Sequence, residues 1–352
     1  YWCGGNPFHH HQDLNRLVES WQQPDTIIIH EPWWNSNARH ADIVLPIATT
    51  FERNDIAGGR ADGFLFAMQK SIEVVGQSKT DYEIFSLLAD QLGFKAEFTE
   101  GRTEKQWLEH LHQRFQQAAS EVVDGVPSFE EFWSKGFYAL PDLEGEPFLE
   151  SFRKDPSANP LATPSGKIEI FSSTIDKFSY EDCPGHPTWM EPCEWLGAES
   201  VKKYPLHLIT NQPKTRLHSQ YDNGGYSLEN KIREREPVSI NPKDAVARGI
   251  SDGDIVRLFN DRGACLAGVI VTEDVMPGVV QLSTGAWYDP LVPGEIGSVD
   301  VHGNPNVLTI DKGTSKLAQG PSAMSALVEV ELFEDELPPI KIFSPPEIIE
   351  SA

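Results

Sequence analysis

Residues 4–17 read GGNPFHHHQDLNRL: two glycines, an asparagine–proline pair and three consecutive histidines directly before a helical pattern. Gly4 and Gly5 tolerate backbone torsions, and permit a close ligand approach, that a side chain would block. Asn6–Pro7 then opens a helix, whose unpaired amides and positive dipole end favour an anion such as phosphate. The turn is therefore a candidate anion seat. His9, His10 and His11 also invite a metal reading, yet neighbouring positions on a helix diverge by about 100° each, so the three rings cannot all face one ion. One of them, His10 before the others, is better suited to donate to a ligand oxygen while its neighbours cap or pack. Cys3, Cys183, Cys193 and Cys265 form no CxxC pair and no zinc or iron–sulfur spacing. They are expected to be mostly buried thiols and carry no information on redox compartment.

The elements that position these groups follow from hydrophobic periodicity. Leu14, Leu17, Val18 and Trp21 recur at helical spacing, and TIIIH (26–30) suits a buried parallel strand. ARHADIVLP supplies a second strand around Ile43 to Leu45. TDYEIFSLLADQLG reads as a helix with Thr80 and Glu83 as its capping box and Ile84, Leu87, Leu88 and Leu92 as its apolar stripe. This alternation predicts an α/β unit over 1–100. A helical and loop-rich connecting region, 101–203, follows. Trp107, Leu108, Leu111 and Phe115 share a helical face there, Ser128 caps FEEF, and GKIEIF is expected as a strand among the prolines 160, 164, 184, 187 and 192. LHLIT, DIVRLFN, ACLAGVIVT and GVVQLST are strand-like, NDRG is a hairpin turn, and NPKDAVARGI is one short helix with Asn241 as cap and Pro242 first. Short strands with one inserted helix predict a closed barrel over 204–335. The acidic, proline-rich 336–352 reads as an extended surface tail, and no internal repeat is found.

Of the 352 residues 39% are hydrophobic and 23% charged, the ordinary composition of globular domains, and enough chain for two or three of them. Asp plus Glu outnumber Lys plus Arg by 53 to 29, a field that repels a phosphate backbone and makes nucleic acid an unsuitable partner. Any bound anion must be held by local donors. No apolar run is long enough for a membrane span, and no basic-then-apolar leader opens the chain. Tyr1 stands where a methionine would begin a complete product, so the chain reads as part of a longer one.

YWCGGNPFHHHQDLNRL, ARHADIVLP and FERNDI resemble the molybdopterin oxidoreductases of the dimethyl sulfoxide, trimethylamine N-oxide and biotin sulfoxide reductase group. TNQPKTRLHSQ (210–220), GDIVRLFNDRG and GNPNVLTIDKGTSKLAQGPSA (303–323) are similar to that family's C-terminal dinucleotide-binding barrel. Six matches in the family's order cover nearly the whole chain and correspond to the family's C-terminal part. The resemblance implies an α/β fold: part of a Rossmann-like dinucleotide-binding domain followed by a six-stranded barrel of the double-psi type. It implies molybdenum bis(molybdopterin guanine dinucleotide) as cofactor, an S-oxide or N-oxide as substrate, and an electron donor such as a cytochrome or reductase. It also implies an N-terminal part of the same enzyme as partner. Such enzymes work in the periplasm, slightly favoured, or the cytoplasm.

Carried onto this sequence, the resemblance assigns cofactor contacts to stretches whose chemistry matches. Gly5, Asn6, His10 and the fixed charge of Arg53 suit a pyrophosphate, although a salt bridge is the plainer reading of Arg53. Guanine presents an N–H and an amino group on one edge, which a single carboxylate can accept. Asp81 and Glu31 are the candidates, with helix capping as the competing explanation of Asp81, and the resemblance favours Asp81. Glu31 is expected near the ribose or at a backbone contact, beside His30. Thr210, Asn211, Gln212, Pro213, Arg216, His218, Ser219 and Gln220 form a polar patch suited to pterin nitrogens and phosphate oxygens. Asn306 offers a paired donor and acceptor for a pterin edge, and Gln319 is a further candidate. Trp287, Tyr288, Trp33 and Trp34 are expected as core aromatics. No metal ligand or catalytic acid is assigned, because the family's serine ligand belongs to its N-terminal part. Neither a P-loop nor a G-x-G-x-x-G fingerprint is present, which weakens the alternative of a non-redox nucleotide-binding module. A protein-interaction barrel, the other alternative, leaves the polar runs without a purpose.

Overall fold

The computed structural model describes residues 1–59, 63–121, 123–141, 145 and 147–349. Its strands are β1 (Trp2–Cys3), β2 (Ile28–Glu31), β3 (Ile43–Pro46), β4 (Asp55–Gly58), β5 (Phe64–Met68), β6 (Phe137–Ala139), β7 (Leu206–Ile209), β8 (Pro237–Ile240), β9 (Ile255–Phe259), β10 (Ala264–Val271), β11 (Val279–Leu282) and β12 (Ala326–Leu332). Helices α1 (Pro7–His10), α2 (Leu14–Trp21), α3 (Ser36–Arg39), α4 (Asp81–Leu92), α5 (Lys95–Thr99), α6 (Glu104–Ala119) and α7 (Phe129–Lys135) occupy the first half. The chain divides into two compact units. The first comprises Tyr1–Ile29, Trp33–Ile43 and Ile170–Ala352, the second His30–Pro32 and Val44–Glu169.

The first unit is built on a closed barrel in the order β10-β8-β11-β7-β12-β9. β10 runs parallel to β8 and β11 parallel to β7, while the other four pairings are antiparallel. Alternation fills it. Leu206 and Leu208, Val238 and Ile240, Val256 and Leu258, Val280 and Leu282, and Ala326, Val328 and Val330 share one buried cluster. Phe8, Leu14 and Val18 belong to the same cluster, which is why the N-terminal residues fold with the barrel. These compact units therefore cut the chain differently from the segments expected above. β12 escapes a simple apolar search because glutamates face outward, Glu329 pairing with Arg248 at 2.7 Å and Glu331 with Arg257 at 2.9 Å. The NDRG turn closes the β9–β10 hairpin, with the Asn260 N–H donating to Gly263 O. Asn241 caps the helix Pro242–Ala247 as its sequence predicts.

In the second unit β4, β5 and β6 form a three-stranded antiparallel sheet, α4 packs on α5, and α6 packs on α7, which also meets β6. Thr80 and Glu83 make the capping box of α4, and Ser128 and Glu131 that of α7.

Several expectations are corrected. On α4 the buried residues are Ile84 and Ala89, while Leu87 and Leu92 are exposed; on α6 Leu108 and His112 are buried and Leu111 is exposed. On α6 the buried pair is an i, i+4 line and the i+3 Leu111 falls to its side, whereas on α4 the buried pair is five residues apart, with Leu88 half-buried and Leu87 outside it. No strand forms over 166–171, where Ile168, Ile170 and Phe171 are exposed and no ladder partner is present among the described residues. Cys265 is buried, but Cys3 and Cys193 are exposed and Cys183 is intermediate. Trp33 and Trp34 are exposed, whereas Trp287 and Tyr288 are buried. Over 336–349 the chain lacks regular structure, as expected of a tail, but it is held to the first unit at Lys341, Ile342 and Phe343. Asp289 Oδ2 accepts the N–H groups of Lys341 and Ile342, Ile342 is 1% exposed, and Phe343 packs on Trp287 and His302. Among the described residues no helix is long and apolar enough to cross a membrane.

Candidate functional site

Gly4 and Gly5 adopt φ of 81° and 75°, the left-handed torsions the opening turn requires. The helix that follows is a single turn, α1. Asn6 is its N-cap, its Oδ1 accepting the Phe8 N–H at 3.1 Å, so its carbonyl oxygen is spent locally and four residues supply little dipole. Of the three histidines, His9 is the buried one, while His10 and His11 are exposed. His9 is also where distant segments meet. Its ring lies 5.2 Å from that of His218 and 4.8 Å from that of His10, and its Nδ1 is 3.4 Å from Thr284 Oγ1. Burial, reinforced by His10, His218 and Arg216, pushes His9 down to about 3, so it is a neutral donor and acceptor at physiological pH. Burial and His218 lower His10 as well.

Leu217–Tyr221 forms a tight turn closed by the Gln220 N–H on Leu217 O, with His218 and Tyr221 at φ of 54° and 59°. Trp287 Nε1 donates to Ser219 O at 2.8 Å, and a side chain at Gly285 would lie 2.0 Å from His218 O. Glycine is thus required at 285 for this approach. His218 and Ser219 are half-buried and Gln220 is exposed, so their polar ends can meet a ligand. Asn6 Nδ2 reaches Ser219 Oγ at 3.5 Å.

Arg216 behaves differently from its neighbours. Its side chain is 1% exposed and held by Asp222 at 3.3 Å and Glu236 at 3.1 Å. Lys231, equally buried, completes the set at 2.8 Å from Asp222 and 2.9 Å from Glu236. Burial would raise Asp222, but Lys231, His302 and Arg216 beside it bring it down to about 2. His302, fully buried and facing Lys231, is lowered to about 3. Two cations and two anions cancel, so Arg216 offers no free charge to a phosphate. Asn306 is likewise committed: its Nδ2 donates to His9 O at 2.6 Å and its Oδ1 accepts from Thr309 Oγ1 at 3.1 Å. Its amide holds His9 in place of a ligand edge. Thr210 Oγ1 meets Met324 Sδ, and Asn211 bonds Gln212 O and Ser283, while Gln212 is exposed and Pro213 half-buried. Gln319 donates to Ser315 O within its own loop.

In the second unit, His30 is fully buried and its Nδ1 lies 2.6 Å from Asp81 Oδ1. Asp81 occupies the first position of α4, and the capping that might have explained it is performed by Thr80 instead. The Asp81 side chain remains 55% exposed, so His30 orients a carboxylate that still faces solvent at a helix N-terminus. Glu31 is half-buried at the end of β2. Arg53 forms an ion pair with Asp55 two residues on, the plain reading of its charge.

Sequence reasoning passed over His9 as the central histidine and missed Asp222, Lys231, Glu236 and His302. Their spacing follows no helical or strand period, so only folding brings them together. It also missed Asn37, fully buried, whose Nδ2 and Oδ1 find no hydrogen-bond partner among the described residues. Orphaned amide groups of this kind cost about 1–3 kcal/mol each and mark a place where a polar group is to be met. Among the described residues no group of three or more His, Cys, Asp or Glu is arranged to hold a metal ion.

Residues 1–91 match the family model described as molybdopterin oxidoreductase, and residues 206–327 the one described as molydopterin dinucleotide binding domain. A dimethyl sulfoxide/trimethylamine N-oxide reductase of Cereibacter sphaeroides is 48% identical across 98% of this chain and 42% of its own length. A biotin sulfoxide reductase of the same organism is 47% identical over 94% of this chain and 44% of its own. A trimethylamine-N-oxide reductase of Haemophilus influenzae is 45% identical over 98% and 43%. The chain thus spans less than half the length of these relatives. Among solved structures, acetylene hydratase from Pelobacter acetylenicus superposes with a TM-score of 0.70 at 20% identity, over 94% of this chain and 43% of the other, which supports the fold alone.

Proposed function

Because the chain belongs to the molybdopterin oxidoreductases, in the branch of the dimethyl sulfoxide, trimethylamine N-oxide and biotin sulfoxide reductases, we propose that it is the cofactor-holding C-terminal portion of an S-oxide or N-oxide reductase. In this reading residues 1–100 are the Rossmann-like part of a dinucleotide-binding domain, 101–203 connect, and 204–335 are a double-psi barrel followed by the tail 336–352. Molybdenum bis(molybdopterin guanine dinucleotide), when bound, supplies the two-electron chemistry of oxygen-atom removal, and the protein supplies binding, orientation and electrostatics. An electron donor and the remainder of the enzyme complete the system.

The residues present fit such a group. Neutral His9, together with His218, Ser219, Gln220 and the buried unpartnered amide of Asn37, offers donors and acceptors suited to an uncharged polar heterocycle. Backbone at Gly4 and Gly5 is open to a phosphate, with His10 beside it. In the second unit, Asp81 can accept both hydrogens of a guanine edge while His30 fixes its orientation. Glu31 stands close by in sequence for a ribose hydroxyl.

The observation that carries the proposal is the meeting at His9 of residues from four separated segments, around 6, 218, 284 and 306. The test is acid release from the purified full-length enzyme. Molybdenum with guanosine monophosphate, two per metal, is the expected result. A protein that purifies folded with neither would favour a non-redox nucleotide-binding or protein-interaction module instead.

A further inference from the structure

We propose that Arg216, Asp222, Lys231 and Glu236 are positioning residues: a charge-balanced buried clamp that sets the conformation of the His218–Ser219–Gln220 turn. The inference deepens the cofactor reading of that turn and rests on it. Arg216 and Asp222 are the residues immediately before and after the five-residue segment Leu217–Tyr221, and their ion pair at 3.3 Å draws its two ends together. Lys231 and Glu236 bind the same pair from outside, at 2.8 to 3.1 Å.

Besides bonds to Ser227, the clamp also bonds the turn's own supports. Asp222 Oδ2 accepts the Trp287 N–H at 2.9 Å, and Trp287 Nε1 in turn holds Ser219 O. Arg216 Nη2 donates to Thr284 O at 3.2 Å, one residue before the glycine on which His218 O rests. Left-handed torsions at His218 and Tyr221 are unfavourable for side chains of their type, and persist only where surrounding structure enforces them. All four charged side chains are at most 5% exposed, so loss of one leaves a charge unpaired inside the protein, whereas loss of one cation with one anion does not.

The experiment compares Lys231→Met with the balanced Lys231→Met/Glu236→Gln in the full-length enzyme. Hydrogen exchange is followed in peptides covering 217–221 and, as reference, 264–271. The single variant is expected to exchange about tenfold faster at the turn with the barrel reference unchanged, and the double to return to within about threefold of the parent. Exchange at the turn that stays at the parent rate in the single variant, or acceleration of turn and barrel alike, overturns the clamp. Should Lys231→Met fail to fold, a double variant that folds with a protected turn supports it, and one that does not fold overturns it. Molybdenum per chain is measured on the same samples. A parent protein devoid of molybdenum would refute the cofactor reading while leaving the exchange result to decide the clamp.

Discussion

Asp81 was readable as a carboxylate at a helix start, but its meaning turns on two neighbours that spacing does not reveal. Thr80 takes the capping role, and His30, 51 residues earlier, fixes the carboxylate from below. In the proposed reading, Asp81→Asn replaces an acceptor by an amide that opposes guanine's donors. It is expected to lower guanine nucleotide retained by the full-length enzyme by roughly tenfold to a hundredfold, measured after acid release. His30→Ala, which frees the carboxylate and also leaves a void beside Phe85, should lower it by less, with some loss of stability. Arg216 shows the opposite case. A guanidinium in a polar patch reads as a phosphate ligand, and only burial with two carboxylates reveals that its charge is already cancelled.

Helices, turns and hairpins were legible where the signal is local. Capping boxes at Thr80 and Ser128 and the Asn241 cap depend on side chains within three residues, and each forms as its sequence predicts. Thr80→Ala should cost about 1 kcal/mol of stability, read from urea unfolding. The apolar stripes were less legible, because which side of α4 and α6 is buried depends on neighbours far along the chain. GKIEIF illustrates the same limit: alternation without a partner strand does not make a ladder. Two glycines separate torsion from contact. Gly4→Ala meets nothing within 4 Å and should cost only the left-handed torsion, about 1–2 kcal/mol. Gly285→Ala drives a methyl into His218 O and should cost more, with exchange rising at the 217–221 turn.

For the molecule as a whole, buried histidines predict acid lability. His9 and His302 are held near 3 in the folded state against an ordinary 6.5, so the unfolded chain binds more protons between those values. Their contribution is complete above about pH 6.5 and is lost as pH falls toward 3. Asp222, lowered to about 2, adds a loss below its ordinary 3.8. Asp300 opposes them, since burial raises it to about 7 even with three backbone N–H groups on its carboxylate. Burial also lowers His10, His40 and His112, which act in the same direction, and raises Asp13, Glu104 and Asp289, which act against them, so the buried histidines set the net sign. The urea midpoint is therefore expected to fall between pH 7 and pH 4.5, and His302→Asn should flatten that dependence.

Family, barrel and the candidate polar stretches could be read from the chain alone, because motifs, alternation and caps act between residues close in sequence. The tertiary structure decided which of those polar groups are free and which are consumed. Asn306 holds His9, Arg216 is neutralised by partners from 222 and 236, and His9 rather than His10 sits at the centre. Burial and pairing are sums over the whole surroundings of a side chain, and most of those surroundings come from residues remote along the chain.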